Sequence, residues 1–302
     1  EAQREAAVEL PPPMATPITS EGPIREPLPF QLTAGQEAAL EATRRLLKRL
    51  DPAVLFIVGF AGTGKTTLLR VIARESGRPI VITPTGKAAL RVKEATGLYA
   101  STIHRWLYKP IEDPQTDVVK FVRRFPDEID IPPSRLILLD EASMVGPDLW
   151  KDIWGLCLEL NLRLICVGDG FQLPPVLPPN SPSFSLLVPE FAQALQAERI
   201  ELTEILRQAQ DSPVVRASME IRMGGGLRAF RELPRIDISQ LAAVAVSTHQ
   251  SGGVTICHKN VTRFRINAGM RAALGLRGEM PQPNEPLLIL KNNYEIGLVN
   301  GE

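Results

Sequence analysis

Val54-Leu55-Phe56-Ile57-Val58-Gly59-Phe60-Ala61-Gly62-Thr63-Gly64-Lys65-Thr66-Thr67-Leu68-Leu69 is the stretch that decides the fold. Five β-formers, Val54 to Val58, run into a loop with glycines at 59, 62 and 64, and a helix-compatible segment continues to Ile72. This is the pattern G-x-x-x-x-G-K-[ST] in the setting it requires, a strand before it and a helix after it. Glycine allows the backbone angles that turn successive N–H groups toward one anion. The helix N-terminus adds partial positive charge at the same point. The expected phosphate cradle is Gly59, Ala61, Gly62, Thr63, Gly64, Lys65, Thr66 and Thr67. In it Lys65 reaches the β- and γ-phosphates of ATP and Thr66 ligates Mg²⁺.

Outward from this stretch, strands alternate with helices, which is the signature of an α/β fold with a parallel, doubly wound sheet. Upstream, a helix is expected from Leu32, with Thr33 as N-cap and Gln36 at the third helical position, a capping box. Leu40, Leu47 and Leu50, with Thr43 between them, are expected to share one stripe. Downstream, Pro79 to Thr83 is a buried strand ended by Pro84-Thr85-Gly86, and Lys87 to Glu94 a helix. Ser101-Thr102-Ile103-His104 caps a short helix through Leu107. Leu136 to Leu139 is a strand ending in Asp140-Glu141, Asp148 to Leu160 a helix, and Leu162 to Val167 a strand ending in Gly168-Asp169. A Pro-rich loop, Pro174 to Pro182, leads out of this core.

Residues 1–30 are Pro-rich and aperiodic, an arm or linker. Prolines bracket residues 109–134, which read as a protruding insertion or small hairpin. The domain plan is thus a first domain over 31–200 carrying that insertion, and a second, incomplete one over 201–302. The second contains a short strand at Ile200 to Leu202, a helix at Pro213 to Met223 broken by Gly224-Gly225-Gly226, and a strand at Val254 to Cys257. A helix at Val261 to Leu274 and a strand pair, Leu287 to Lys291 with Tyr294 to Val299, complete it.

The chain has 302 residues, enough for about two domains. Lysine plus arginine equals aspartate plus glutamate at 34 each, so a nucleic-acid partner needs a local basic groove and not a globally basic protein. Cys157, Cys166 and Cys257 sit in separate apolar runs, which favours buried free thiols over disulfides or a metal site. No apolar run approaches the 18 residues of a membrane span, and the N-terminus has no signal-peptide pattern; a reduced, cytoplasmic setting is expected. The sequence begins with Glu1 and stops in mid-pattern at Asn300-Gly301-Glu302, as a piece of a longer chain would.

Asp140-Glu141 end the aliphatic run of LILLDEAS. A carboxylate at a strand tip holds Mg²⁺, and the next one prepares the attacking water; the alternative is an acidic pair capping the following helix. Gly168-Asp169-Gly170-Phe171-Gln172-Leu173-Pro174-Pro175-Val176 follows another buried strand, so Gln172 emerges at the same sheet edge, to sense the γ-phosphate or simply to lie in a Pro-rich turn.

Gly59-Phe60-Ala61-Gly62-Thr63-Gly64-Lys65-Thr66, Leu138-Leu139-Asp140-Glu141-Ala142-Ser143-Met144-Val145 and Gly168-Asp169 through Gln172-Leu173-Pro174-Pro175-Val176, in this order, resemble superfamily 1B DNA helicases of the RecD/Dda group. The resemblance covers residues 30–302 and implies two RecA-like domains with ATP between them, single-stranded DNA across their top and 5′-to-3′ translocation. It implies that Gln36 reads adenine, beside its capping role. It implies DNA contacts at Pro84, Thr85, Gly86 and Lys87, at Thr102 and His104, and at Asn260 and Arg263; for His104 a local hydrogen-bonding role is the alternative. The 109–134 insertion takes the place of a duplex-splitting pin, with Phe121, Arg123, Arg124 and Phe125 suited to stacking and phosphate contact or to a solvated basic face. Arg207 matches an arginine reaching ATP from the second domain, its alternative being a surface helix position. The family's last two motifs would lie past Glu302.

The implied activity is an ATP-driven translocase and helicase acting on single-stranded DNA and single-strand/duplex junctions, in repair, recombination or replication. Lys65, Asp140, Glu141, Gln172 and Arg207 form its expected catalytic set, with Thr66 and Asp140 as Mg²⁺ ligands. Two rivals stand beside it. One is another P-loop ATPase of the AAA+ loader type, against which Gln172-Leu173-Pro174-Pro175 argues. The other is a nucleotide-dependent DNA-binding module without turnover.

Overall fold

The computed structural model describes residues 31–112, 119–206, 212–226, 230–278, 280–283, 285 and 287. Arg207, residues 1–30 and the strand pair expected beyond Leu287 lie outside the described residues.

In chain order, α1 (Ala34–Leu47), β1 (Ala53–Gly59), α2 (Lys65–Ser76), β2 (Ile80–Thr83), α3 (Gly86–Thr96), β3 (Ala100–Thr102) and α4 (Ile103–Leu107) come first. β4 (Tyr108–Glu112) and β5 (Val119–Arg123) follow, then β6 (Leu136–Leu139), α5 (Pro147–Glu159), β7 (Arg163–Gly168), α6 (Pro189–Ala194) and β8 (Glu198–Leu202). Six strands make one sheet in the order β3-β2-β6-β7-β1-β8. Every neighbouring pair in it is parallel.

All seven residues of β1 are buried, as expected of a central strand covered on both faces, where an unbroken apolar run replaces alternation. Its side chains still divide by parity. Val54, Phe56 and Val58 enter one core with Ile103 of α4, Ile153 of α5 and Ala192 of α6. Ala53, Leu55 and Ile57 enter the other with Leu40 of α1, Leu69 of α2 and Val92 of α3. The first core is centred on aromatic contacts, with Phe56 lying 6.2 Å from both Trp150 and Phe191.

β4 and β5 form an antiparallel pair, Tyr108 opposite Arg123 and Glu112 opposite Val119, within the segment expected to protrude. Three local expectations change. Leu50 is 90% exposed, because α1 stops at Leu47 and its buried stripe runs through Leu40, Thr43 and Leu46. Ile200 to Leu202 belongs to β8, which pairs with β1 as an edge of the first sheet. The Pro-rich loop Pro174 to Pro182 runs outside the core as expected, but the chain does not pass from it to a second domain, since Leu186, Leu187 and Ala192 return to the core.

Arg216–Leu288 form a separate compact unit. Two of its helices, Leu241–Gln250 and Asn260–Ala273, pack so closely that a Cβ on Gly269 would lie 3.2 Å from Ala242 Cβ. Val254 to Cys257, expected as a strand, makes no ladder among the described residues, and Ile256 is 91% exposed. An extended segment without a partner strand leaves its N–H and C=O groups to water. Cys157 and Cys166 are buried free thiols, their pKa values pushed up by burial, whereas Cys257 is half-buried. Among the described residues no helix is long and apolar enough to cross a membrane.

Candidate functional site

The strand register aligns the expected site residues along one sheet edge. Gly59 of β1 pairs with Leu202, and Val58 pairs with Gly168, so Asp169 emerges beside the loop that follows Gly59. Leu139 pairs with both Cys166 and Ile82, which sets Asp140 at the next strand tip, and Thr83 pairs with Thr102. The phosphate cradle and the Thr83–Lys87 turn are therefore three strand spacings apart, about 14 Å.

The cradle is built by exclusion of side chains. A Cβ on Gly59 would lie 2.6 Å from Thr63 Oγ1 and 2.9 Å from Leu202 Cβ. Gly64, the N-cap of α2, has φ +76° and supplies no side-chain acceptor, so the first-turn N–H groups of α2 face outward for an anion. Lys65 Nζ donates to the carbonyls of Gly59 at 2.8 Å and Phe60 at 2.9 Å, holding its charge over the loop. Leu206 N–H donates to Gly62 O at 3.0 Å, so the chain after β8 closes onto the cradle one residue before Arg207.

Gln36 has its capping role, and a second bond besides. Thr33 N–H donates to Gln36 Oε1 at 3.0 Å and Gln36 N–H to Thr33 Oγ1 at 3.3 Å, the reciprocal box expected. Gln36 Nε2 donates to Thr63 O at 3.0 Å, and the residue is 2% exposed. One amide thus ties the start of α1 to the cradle, and a Cβ on Gly64 would lie 2.6 Å from that nitrogen.

Asp140 is buried, and its Oδ1 accepts Glu141 N–H at 2.9 Å. Burial first, then the neighbouring Glu141 charge, push its carboxyl up to about 6, against the pull of that N–H, Lys65 and Arg91. A buried carboxyl with so few donors calls for a cation, and with the Thr66 hydroxyl it offers the hard oxygen ligands that Mg²⁺ takes; the residues fit that ion. Glu141 sits at φ +54°, a left-handed geometry for a non-glycine residue, and is half-buried beside Asp140. Such strain persists where the surrounding structure fixes it and often accompanies function. Gln172 is exposed in the loop after β7, and the neighbouring Phe171 ring meets Phe60 edge-on at 6.3 Å.

Toward the other end of the row, Thr83 is fully buried and its hydroxyl donates to Thr85 O at 2.9 Å. Thr85 caps α3 through Ala88 N–H at 3.2 Å, so Gly86 and exposed Lys87 form the first turn of that helix next to Pro84. Thr102 caps α4 through Arg105 N–H at 3.2 Å. His104 is exposed on α4 and stacks on Tyr108 at 5.5 Å, while the Tyr108 hydroxyl donates to Asp152. Asn260 and Arg263 lie in the first turn of a helix in the second unit, with the Arg263 guanidinium 5.2 Å from the Phe264 ring centroid. On the hairpin Phe121 and Phe125 are exposed; Arg123 pairs with Glu159, and Lys109 lies 5.3 Å over the Phe125 ring.

Asp169 was not among the expected site residues. It is fully buried at the tip of β7, and its Oδ1 accepts Phe171 N–H at 3.0 Å while its carbonyl accepts Gln172 N–H, which sets the turn that carries Gln172. An aliphatic run ended by an acid, LICVGD, is the same signal that marks Asp140 and would have found it.

A profile described as an AAA domain (AAA_30) matches residues 31–242. The chain is 29% identical over 273 residues to an ATP-dependent RecD2 DNA helicase of Deinococcus radiodurans, covering 82% of this chain and 35% of that protein. It is 27% identical over 216 residues to the ATP-dependent DNA helicase RRM3 of Saccharomyces cerevisiae, covering 65% of this chain and 28% of that one. The chain spans about a third of the length of these two relatives. Among solved structures, Bacteroides Pif1 bound to ssDNA superposes with a TM-score of 0.56 at 22% identity, over 90% of this chain and 68% of that one. The likeness establishes the fold as the α/β P-loop, RecA-like sheet.

Proposed function

The chain belongs to the AAA domain family, and from that membership we propose that it is the motor portion of an ATP-dependent DNA helicase of the superfamily 1B, RecD/Pif1-like kind. The observation that carries this reading is the single sheet edge on which the cradle, Asp140, the Gln172 loop, Thr83–Lys87 and Thr102 follow one another. A nucleotide at one end and a strand at the other then contact the same rigid ladder.

The N–H groups of Gly62 to Thr67 and the Lys65 ammonium hold the triphosphate, Lys65 exchanging its two loop carbonyls for phosphate oxygens. Thr66 and Asp140 would hold Mg²⁺, which would neutralise phosphate charge there. Glu141 takes the proton of the attacking water, and Gln172 orients that water. Arg207 reaches the nucleotide from the segment that Leu206 anchors on Gly62; Gln36 reads adenine from its place against Thr63. Pro84, Thr85, Gly86, Lys87, Thr102 and His104 hold strand phosphates, an assignment supported by the first turn of α3, where Lys87 is exposed beside the Thr85 cap.

Asn260 and Arg263 contribute from the second unit, Arg216–Leu288, read here as part of a second RecA-like domain that follows a first domain running from residue 31 through β8. The Pif1 relatives are described bound to ssDNA and at forked dsDNA. The same substrates are proposed here, with 5′-to-3′ movement resting on the RecD/Dda resemblance of the motifs.

ATP hydrolysis by the chain, with and without single-stranded DNA, tests this. Stimulation by DNA is expected, with loss of about 100-fold or more in Lys65→Ala and Arg207→Ala. Lys65-dependent ATP binding without turnover at any DNA concentration would leave the chain a nucleotide-dependent DNA-binding module and refute the motor.

A further inference from the structure

A groove of about 300 Å³ lies beside the cradle, lined by Thr66, Thr67 and Arg70 of α2 and by Arg91 and Ala95 of α3. Helical spacing produces it, since Thr66, Thr67 and Arg70 fall on one face of α2, and Arg91 and Ala95 are one turn apart on α3. Its lining holds two guanidinium groups and no carboxylate. Arg44, Arg45, Arg49, Arg123 and Arg199 of the same unit each pair with a carboxylate. Neither Arg70 nor Arg91 has such a pair among the described residues, and Arg70 Nε is buried with no hydrogen-bond partner. A buried donor left unpaired is costly unless a ligand takes it up. A guanidinium presents a planar fork that matches the oxygens of a phosphate group two at a time. The first turn of α2, at Thr66 and Thr67, borders the groove and adds the positive end of its dipole. The volume suits one small oxyanion with its water and is at the low end for larger ligands.

We propose that this groove is a second phosphate subsite, bordering the cradle at Thr66 and Thr67, in which Arg70 and Arg91 grip one tetrahedral phosphate group apart from the triphosphate. Two sources share that chemistry. One is inorganic phosphate freed by hydrolysis on the far side of Thr66, which rests on the nucleotide reading above. The other is a backbone phosphate of a strand laid over α3 from Thr85 and Lys87.

The test titrates inorganic phosphate into the full chain at constant ionic strength and follows phosphorus line broadening. It uses a Lys65→Ala background to weaken the cradle. Saturable binding is expected to persist there. Arg91→Gln, at an exposed helix position that does not threaten folding, should weaken it about tenfold or more, and Arg70→Gln similarly. Arg70→Lys and Arg91→Lys keep the charge but lose the fork, and should fall between. Unchanged phosphate affinity in the Arg91→Gln, Arg70→Gln pair, or no saturable binding in Lys65→Ala alone, overturns the site. A thymidine oligonucleotide that displaces phosphate assigns the source to a DNA strand, and independence of the two assigns it to free phosphate; either result supports the site. ATP affinity read on the same proteins separates the two hypotheses. Lys65→Ala with undiminished ATP binding would fell the nucleotide reading while leaving the groove's phosphate site standing.

Discussion

Gln36→Glu isolates one bond of the Gln36 bridge, since the substitution is nearly isosteric. One carboxyl oxygen still accepts Thr33 N–H, so the capping box is kept, and a negative group in the first turn of α1 suits the helix dipole. The other oxygen replaces the nitrogen that donates to Thr63 O at 3.0 Å, so an acceptor faces an acceptor at a residue 2% exposed. An uncompensated buried charge costs about 3–5 kcal/mol, and a buried carbonyl without its donor about 1–3 kcal/mol. Protonation limits the loss, because the neutral carboxyl donates to Thr63 O and restores the link. A net loss of about 3 kcal/mol corresponds to a folded-state pKa about two units above the unfolded value near 4.3. The sign follows: with the folded pKa raised, the variant matches the parent below pH ~4.3, loses stability as the pH rises through the folded value near ~6.5, and stays low above it. Thermal unfolding of the variant against the parent at each pH reads this. At pH 8 the first transition should fall by roughly 6–12 °C, recovering as the pH approaches 5. Gln36→Ala should lose a similar amount with no recovery. A Gln36→Glu protein as stable as the parent at pH 8, or equally destabilised at both pH values, would show that the Thr63 bond does not bear on the cradle.

Phe56→Ala removes the ring that meets Trp150 and Phe191 in a fully buried position, and should cost about 3–5 kcal/mol by denaturant unfolding. Arg163→Met removes donors to Leu47 O, Arg49 O and Ser134 O at the opposite end of the sheet; a loss of about 2–4 kcal/mol with unchanged nucleotide affinity is expected, and altered affinity would contradict a purely structural role. Thr85→Ala should cost about 1 kcal/mol as a lost N-cap and, under the proposed function, weaken DNA binding while leaving nucleotide binding intact; equal loss of both would mean that α3 supports the cradle.

The sheet's centre was legible because each strand there is an apolar run ended by residues that cannot continue it. Gly59, Asp140 and Asp169 each end such a run, and the three runs are neighbours in the sheet. The edges were harder. Glu198-Arg199-Ile200-Glu201-Leu202 carries a single buried residue; its strand is readable at Ile200 to Leu202, but its place in the first sheet is not, because its pairing with β1 spans more than a hundred residues of chain. β3 is three residues long, too short for any period. Leu50 was misjudged because helical spacing extrapolates past the end of α1, which has neither glycine nor proline to mark its stop at Lys48. At the site, the capping box was readable from Thr33 and Gln36 alone, since it is local. The bond from Gln36 to Thr63 joins residues 27 apart and exists only once α1 and the loop are packed together. The Arg70–Arg91 groove is a juxtaposition of two helices for the same reason.

The hairpin is clamped to the body at both flanges. α4 ends at Leu107 and β4 begins at Tyr108 without an intervening residue, and Arg124 N–H returns to Leu107 O at 2.8 Å. Tyr108 to Asp152 and Arg123 to Glu159 fasten the two roots to α5, and Lys109 to Glu128 braces the outer side. These contacts tie both roots of the hairpin to one helix. A load on its arms is therefore expected to reach α5 first, whose Trp150 and Ile153 are packed in the core beneath.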